Sequence, residues 1–165
     1  MSTAAVGRPL YQGLGYFQDY AVSNEATILV IAWRQFISAL ANVASAQPRL
    51  EAMSELHSLY HECSVANWDG ENAMAISEET YLEAANFLAL LPLTIRTPDV
   101  VPEPKGGVAF EWEQNGRIFV VSVKGRQTLA YAGIFGPTAK TYGSEDFSDS
   151  IPTSVISNLQ RLRED

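Results

Sequence analysis

His57 and His61 stand four residues apart, the spacing that places two side chains on one helix face, where paired imidazoles can grip a transition metal. They are the only histidines in the chain, so a zinc site would need a third ligand of another type. His61-Glu62 begins like a metalloprotease helix, yet the second histidine of that motif is missing. Ordinary histidines near a helix boundary are the favoured reading. Cys63 is the only cysteine; two residues from His61, it faces elsewhere on a helix, which favours a buried structural thiol over a nucleophile.

The stretch from Asn67 to Asn72 invites a second chemistry. Set against a calcium-binding loop, Asn67, Asp69, Glu71 and Glu78 fall at the first, third, fifth and twelfth places, and Met74 takes the apolar eighth. Asn72 replaces the sharp-turn glycine, Ala75 stands at the ninth place and the first ligand is an uncharged amide. The competing reading is a tight Asp69-Gly70 turn, with Trp68 anchored in the core and Asp69 accepting backbone N–H groups. Ser77 favours it, because as an N-cap it starts a helix at Glu78 and turns that carboxylate away from the loop.

Carboxylate pairs occur at Glu78/Glu79 and Glu111/Glu113. The first is a helix-start pattern, and the second projects from one face of a strand, more often a solvated face than an acid–base pair. Gly106-Gly107 leads into a strand with no helix behind it, so it is no phosphate loop. A nucleophile elbow, a CxxC motif and a dinucleotide fingerprint are all absent from the sequence.

The elements that would position these groups follow from periodicity. Residues 1–22 place Tyr11, Tyr16, Phe17 and Tyr20 among Gly7, Pro9, Gly13 and Gly15, an irregular arm held by ring burial. Residues 24–91 form a helical half. From Ser23 or Asn24, the series Leu29, Trp33, Phe36, Leu40 and Val43 predicts a first helix, with Arg34 and Gln35 interrupting any membrane span. Beyond Pro48, Leu50, Met53, Leu56, His57, Tyr60 and Cys63 mark the core side of a second. The third starts at Ser77 with Ile76 and Tyr81 as a hydrophobic staple, buries Tyr81, Ala85, Leu88 and Leu91, and stops at Pro92.

Pro98, Pro102, Pro104 and Gly106 make the next stretch an extended connector. Residues 107–133 then predict a meander. Asn115-Gly116 is a hairpin signal that pairs Trp112 with Phe119, Phe110 with Val121 and Val108 with Val123 on a core face. A third strand over Thr128 to Ala132 returns through Lys124-Gly125-Arg126, a loop whose length leaves its register open by one residue; the register that buries Leu129 and Tyr131 is favoured. A polar loop with Gly136, Pro137 and Gly143 leads to a closing helix over residues 152–163, with Val155, Leu159 and Leu162 inward. The expected fold is a single α+β domain with N-terminal helices, an antiparallel three-stranded meander and a C-terminal helix.

The 165 residues carry 47% hydrophobic side chains, enough for one core without disulfides or metals. A formal charge of -8 opposes direct nucleic-acid binding and anionic membrane surfaces, and suits a basic partner protein. One cysteine and an N-terminus without an apolar leader point to the cytoplasm.

Asn67-Trp68-Asp69-Gly70, Ala84-Ala85-Asn86-Phe87-Leu88, Leu91-Pro92 and Gly106-Gly107 through Glu111-Trp112-Glu113 together resemble a family of small bacterial proteins with no known activity. Its members have a Trp-Asp-Gly turn, a helix ending in Leu-Pro and a Gly-Gly strand leading to Glu-Trp. The likeness covers roughly residues 56–133 and implies a bacterial or mobile-element source, with no catalytic residue to transfer.

The function expected from these features is a non-enzymatic protein–protein interaction module, an inhibitor or accessory factor engaging a basic surface. Its contact residues would be Glu111, Glu113, Ile118 and Val120 on the outer strand face, with Trp68 and Asp69 at the turn. No cofactor is expected. The alternatives are calcium held by Asn67, Asp69, Glu71 and Glu78, a hydrolase or transferase joining His57 or His61 to Asp69 or Glu71, and a homodimer through the same strand face.

Overall fold

A computed structural model describes residues 47–163 of the chain. The aromatic arm and the first predicted helix lie outside the described residues. Within them, helix α1 (Gln47–Cys63) and helix α2 (Glu78–Leu90) precede five strands, β1 (Asp99–Glu103), β2 (Gly107–Gln114), β3 (Arg117–Val123), β4 (Thr128–Ile134) and β5 (Lys140–Asp146). Helix α3 (Thr153–Arg161) closes the fold. The strands form one antiparallel sheet in the order β1-β2-β3-β4-β5.

This corrects the expected three-stranded meander, which lacks both edge strands. β1 lies in the proline-rich connector, where Pro102 pairs with Val108. Proline is tolerated there because an edge strand has one side with no ladder to feed. β5 lies in the expected polar loop and alternates exposed and half-buried positions along Lys-Thr-Tyr-Gly-Ser-Glu-Asp. It has no apolar face, so periodicity could not reveal it.

The three central strands keep their expected register, with Trp112 opposite Phe119, Phe110 opposite Val121 and Val108 opposite Val123. Asn115 and Gly116, at φ of 53° and 72°, supply the left-handed turn that a two-residue hairpin requires. Leu129 and Tyr131 pair with Val123 and Val121, which turns both toward the same face. Phe87 of α2 stacks on Phe110 at 5.0 Å between ring centroids, and Phe147 meets its edge. All these residues belong to one core, to which α1 adds Met53, Leu56 and Leu59 and α3 adds Val155 and Leu159.

Ser77 caps α2, its hydroxyl accepting the Thr80 N–H at 3.1 Å, with Glu78 and Glu79 in the first turn. The helix rolls by one position from the expected stripe. Thr80, Ala84, Phe87 and Leu88 are buried, while Tyr81 and Ala85 pack on the core margin. In α1 the departure is larger, because Arg49 is buried with Ala52 and Leu59, whereas Leu50, His57 and Tyr60 are half-buried. Helix α3 buries Val155 and Leu159 as expected, and Leu162, just past its last residue, is buried with them. It is fastened to the β5 edge by Glu145, whose Oε1 accepts from both Tyr131 and Ser154. No helix among the described residues is long and apolar enough to cross a membrane.

Candidate functional site

Alternation fixes what the outer side of the sheet presents, since each core residue of a strand is flanked by two that point the other way. Reading across the strand pairs, one row runs Glu113, Ile118, Ile134, Lys140. The next runs Asp99, Glu111, Val120, Ala132, Tyr142, and a third runs Val101, Ala109, Ser122, Ala130, Ser144. Ile118, Ile134 and Tyr142 are 41%, 46% and 86% exposed, and none of these three rows contributes to the core cluster. The centre is apolar and made of small or branched side chains. Asp99, Glu103, Glu111 and Glu113 gather on β1 and β2, whereas Lys140 is the basic member at the opposite edge.

Glu103 is held in an unusual way. Its side chain lies over Gly107 of the neighbouring strand to accept the Ser122 hydroxyl at 2.7 Å, while its other carboxylate oxygen is buried without a partner. A side chain at residue 107 would collide with that carboxylate, so glycine here serves close approach and not a special turn.

The structure thus brings Glu111, Glu113, Ile118 and Val120 together, with Glu111 opposite Val120 and Glu113 opposite Ile118. It adds Ile134, Ala132 and Tyr142, which sequence reasoning missed because the register of β4 was open and β5 had no signal. Trp68 and Asp69 belong elsewhere. Trp68 lines an open cavity of about 350 Å³ with Leu59, Cys63 and Pro102, on the helix side of the β1 edge.

Two of the loop's side-chain oxygens are occupied by its own backbone. Asp69 Oδ1 accepts the Glu71 and Ala73 N–H groups at 2.7 and 3.0 Å, and Asn67 Oδ1 accepts the Asn72 N–H at 2.8 Å. Those two donors to Asp69, Glu71 first, hold its carboxyl below the usual carboxylate range. The Trp68 indole N–H donates to the Met74 carbonyl at 3.0 Å, and the Met74 N–H to Pro104 at 2.8 Å, so the loop is tied to the β1–β2 connection. Glu78 sits in the first turn of α2 and Glu71 is exposed.

His57 and His61 do share a face, with their Nε2 atoms 3.1 Å apart and His57 Nδ1 3.2 Å from the Tyr81 hydroxyl. Burial, then the neighbouring His61, lowers the His57 pKa. Burial and then Tyr60 push the Tyr81 hydroxyl up to about 12, so it stays protonated at neutral pH. Among the described residues no group of three or more His, Cys, Asp or Glu side chains could hold a metal ion. The Cys63 thiol is buried and its pKa is pushed up by desolvation and then by Glu62, which opposes the nucleophilic thiolate.

Comparison with protein-family models, with curated proteins and with solved structures returns no match.

Proposed function

We propose that this protein is an interaction module whose partner is a basic protein surface, bound on the outer face of the sheet. The observation that carries this reading is the pairing of the exposed apolar side chains of Ile118, Ile134 and Tyr142 with carboxylates concentrated on β1 and β2. An apolar centre supplies the binding energy on desolvation, and a rim of one sign selects and steers a partner of the opposite sign. The chain's net charge of -8 acts in the same direction, adding long-range attraction to the local complementarity. Inhibitor and accessory factor are the two roles such a module fits, in the bacterial or mobile-element setting that the motif resemblance implies.

The test uses Tyr142, whose 86% exposure allows replacement by a photo-crosslinking side chain without disturbing the core. Irradiation in host lysate should attach one basic protein in stoichiometric amount. Glu111→Lys with Glu113→Lys should abolish the product, and raised salt should weaken it. A product that survives the charge reversal would sink the basic-partner reading. Crosslinks to a second copy, or to residues 1–46 of the same chain, would assign the face to self-association or to internal packing.

A further inference from the structure

The first turn of α1 buries a charge that the apolar core does not need. Arg49 is 2% exposed, and its guanidinium donates only to uncharged oxygens: Nη1 to Leu88 and Leu91 at 2.6 and 3.0 Å, Nη2 to Pro92 at 3.3 Å. These are carbonyls at the end of α2, where a helix leaves acceptors unfilled and the dipole is negative. That accounts for two of the three guanidinium nitrogens. Nε is buried and has no partner.

Arg49 also lines an open pocket of about 500 Å³ between the loop that follows α2, the end of β2 and the last residues after α3. Two more arginines reach the same pocket. Arg96 Nη1 donates to the Glu113 carbonyl at 3.3 Å, and Arg163 Nη1 to the Thr94 carbonyl at 3.1 Å. Both residues are exposed. Among the described residues that line the pocket none is acidic, although the chain has 19 acidic and 11 basic residues. Glu113 borders only the adjoining crevice of about 20 Å³. Leu93 and Ile95 give the pocket an apolar wall.

Strapping the loop onto the sheet explains one nitrogen of each outer arginine. It does not explain why three cations line one concavity of an acidic molecule with no carboxylate among the described lining residues. Like charges gathered without counter-charges repel, and an anion seated among them relieves that repulsion. Guanidinium groups suit an oxyanion because their forked N–H groups match two oxygens at once.

We propose that this pocket binds a small molecule bearing an oxyanion, a carboxylate or a phosphate, together with an apolar body. Arg96 and Arg163 contact the anionic group, Arg49 supplies positive charge at the floor, and Leu93 and Ile95 take the apolar part. The site is independent of the outer sheet face.

Benzoate and phenyl phosphate are suitable probes, since they share the body and differ in the anion. Titrated into the full-length protein at constant ionic strength, one or both should give saturable amide shifts confined to residues 93–97, Gln114 and Arg163. The stronger of the two identifies the anion. Arg96→Ala with Arg163→Ala should weaken binding by about tenfold or more, since charge-assisted bidentate contacts are lost. Leu93→Glu, at a side chain 47% exposed, places a carboxylate among the arginines and should abolish binding with the fold intact. Shifts that stay linear to about 10 mM of both probes would overturn the proposal, because the pocket would then bind no more tightly than bulk ion pairing. So would saturable shifts that either variant leaves unchanged.

Discussion

A methyl group at residue 107 would meet the Glu103 carboxylate and stand 3.0 Å from the Val123 carbonyl oxygen. Gly107→Ala must therefore displace a side chain already committed to Ser122, or bend β2. Overpacking of that kind costs about 1–3 kcal/mol, visible as a lower urea midpoint with an unchanged slope. Adding Glu103→Ala removes the nearer obstacle and leaves only the Val123 carbonyl oxygen, so the double variant should lose less than the sum of the two single losses. Asp69 supports a pH prediction. Its folded pKa is depressed by the Glu71 and Ala73 N–H groups, so its contribution is present above the ordinary carboxylate pKa and lost as pH falls through the lower folded value. The Tm gap between wild type and Asp69→Ala should be steady above about pH 5 and close below about pH 4. Asp69→Asn keeps an acceptor oxygen and should show a smaller gap that narrows over the same pH range, because it too lacks the titrating carboxyl.

At the scale of elements, the junction of α1 with α2 rests on Arg49. Arg49→Met keeps length and apolar bulk but strands the carbonyls of Leu88 and Leu91, and should destabilise by about 2–4 kcal/mol. Thermal unfolding measures that loss, and amide exchange should quicken first in the last turn of α2. This arginine also shows where sequence reading stops. The Ser77 cap and the Asn115-Gly116 hairpin were legible because each is set by chemistry within four residues. The inward face of α1 was not, because Arg49 reads as solvent-facing and Leu50 as buried until the end of α2 is placed against them. β1 and β5 failed for the same reason: Pro102 argues against a strand and β5 offers no apolar alternation, and only the neighbouring strand makes either one a strand. Glu111, Glu113, Ile118 and Val120 could be grouped from the hairpin register alone, whereas Ile134 and Tyr142 needed two further pairings.

Across the whole molecule, stability should grade from the middle of the sheet outward. Phe110, Phe119, Val121 and Val123 are fully buried in β2 and β3, while β5 contributes no residue to the core cluster and ends the sheet. Edge strands invite pairing with other chains, and native edges are blunted by proline, charge and short length. β1 is blunted by Pro102 and by five-residue length; β5 carries Lys140, Glu145 and Asp146, with Gly143 lying beneath the Tyr131 ring. Native-state hydrogen exchange should therefore find amides of β2 and β3 that open only with global unfolding, and amides of β5 that open locally at lower free energy. Glu145→Ala, which releases both Tyr131 and Ser154, should widen that difference by quickening β5 and the start of α3 while leaving β2 and β3 nearly unchanged. If β5 instead exchanged as slowly as β3, its outer edge would have to be paired with further chain, and the outer face bounded by Tyr142 would have a covered border on that side.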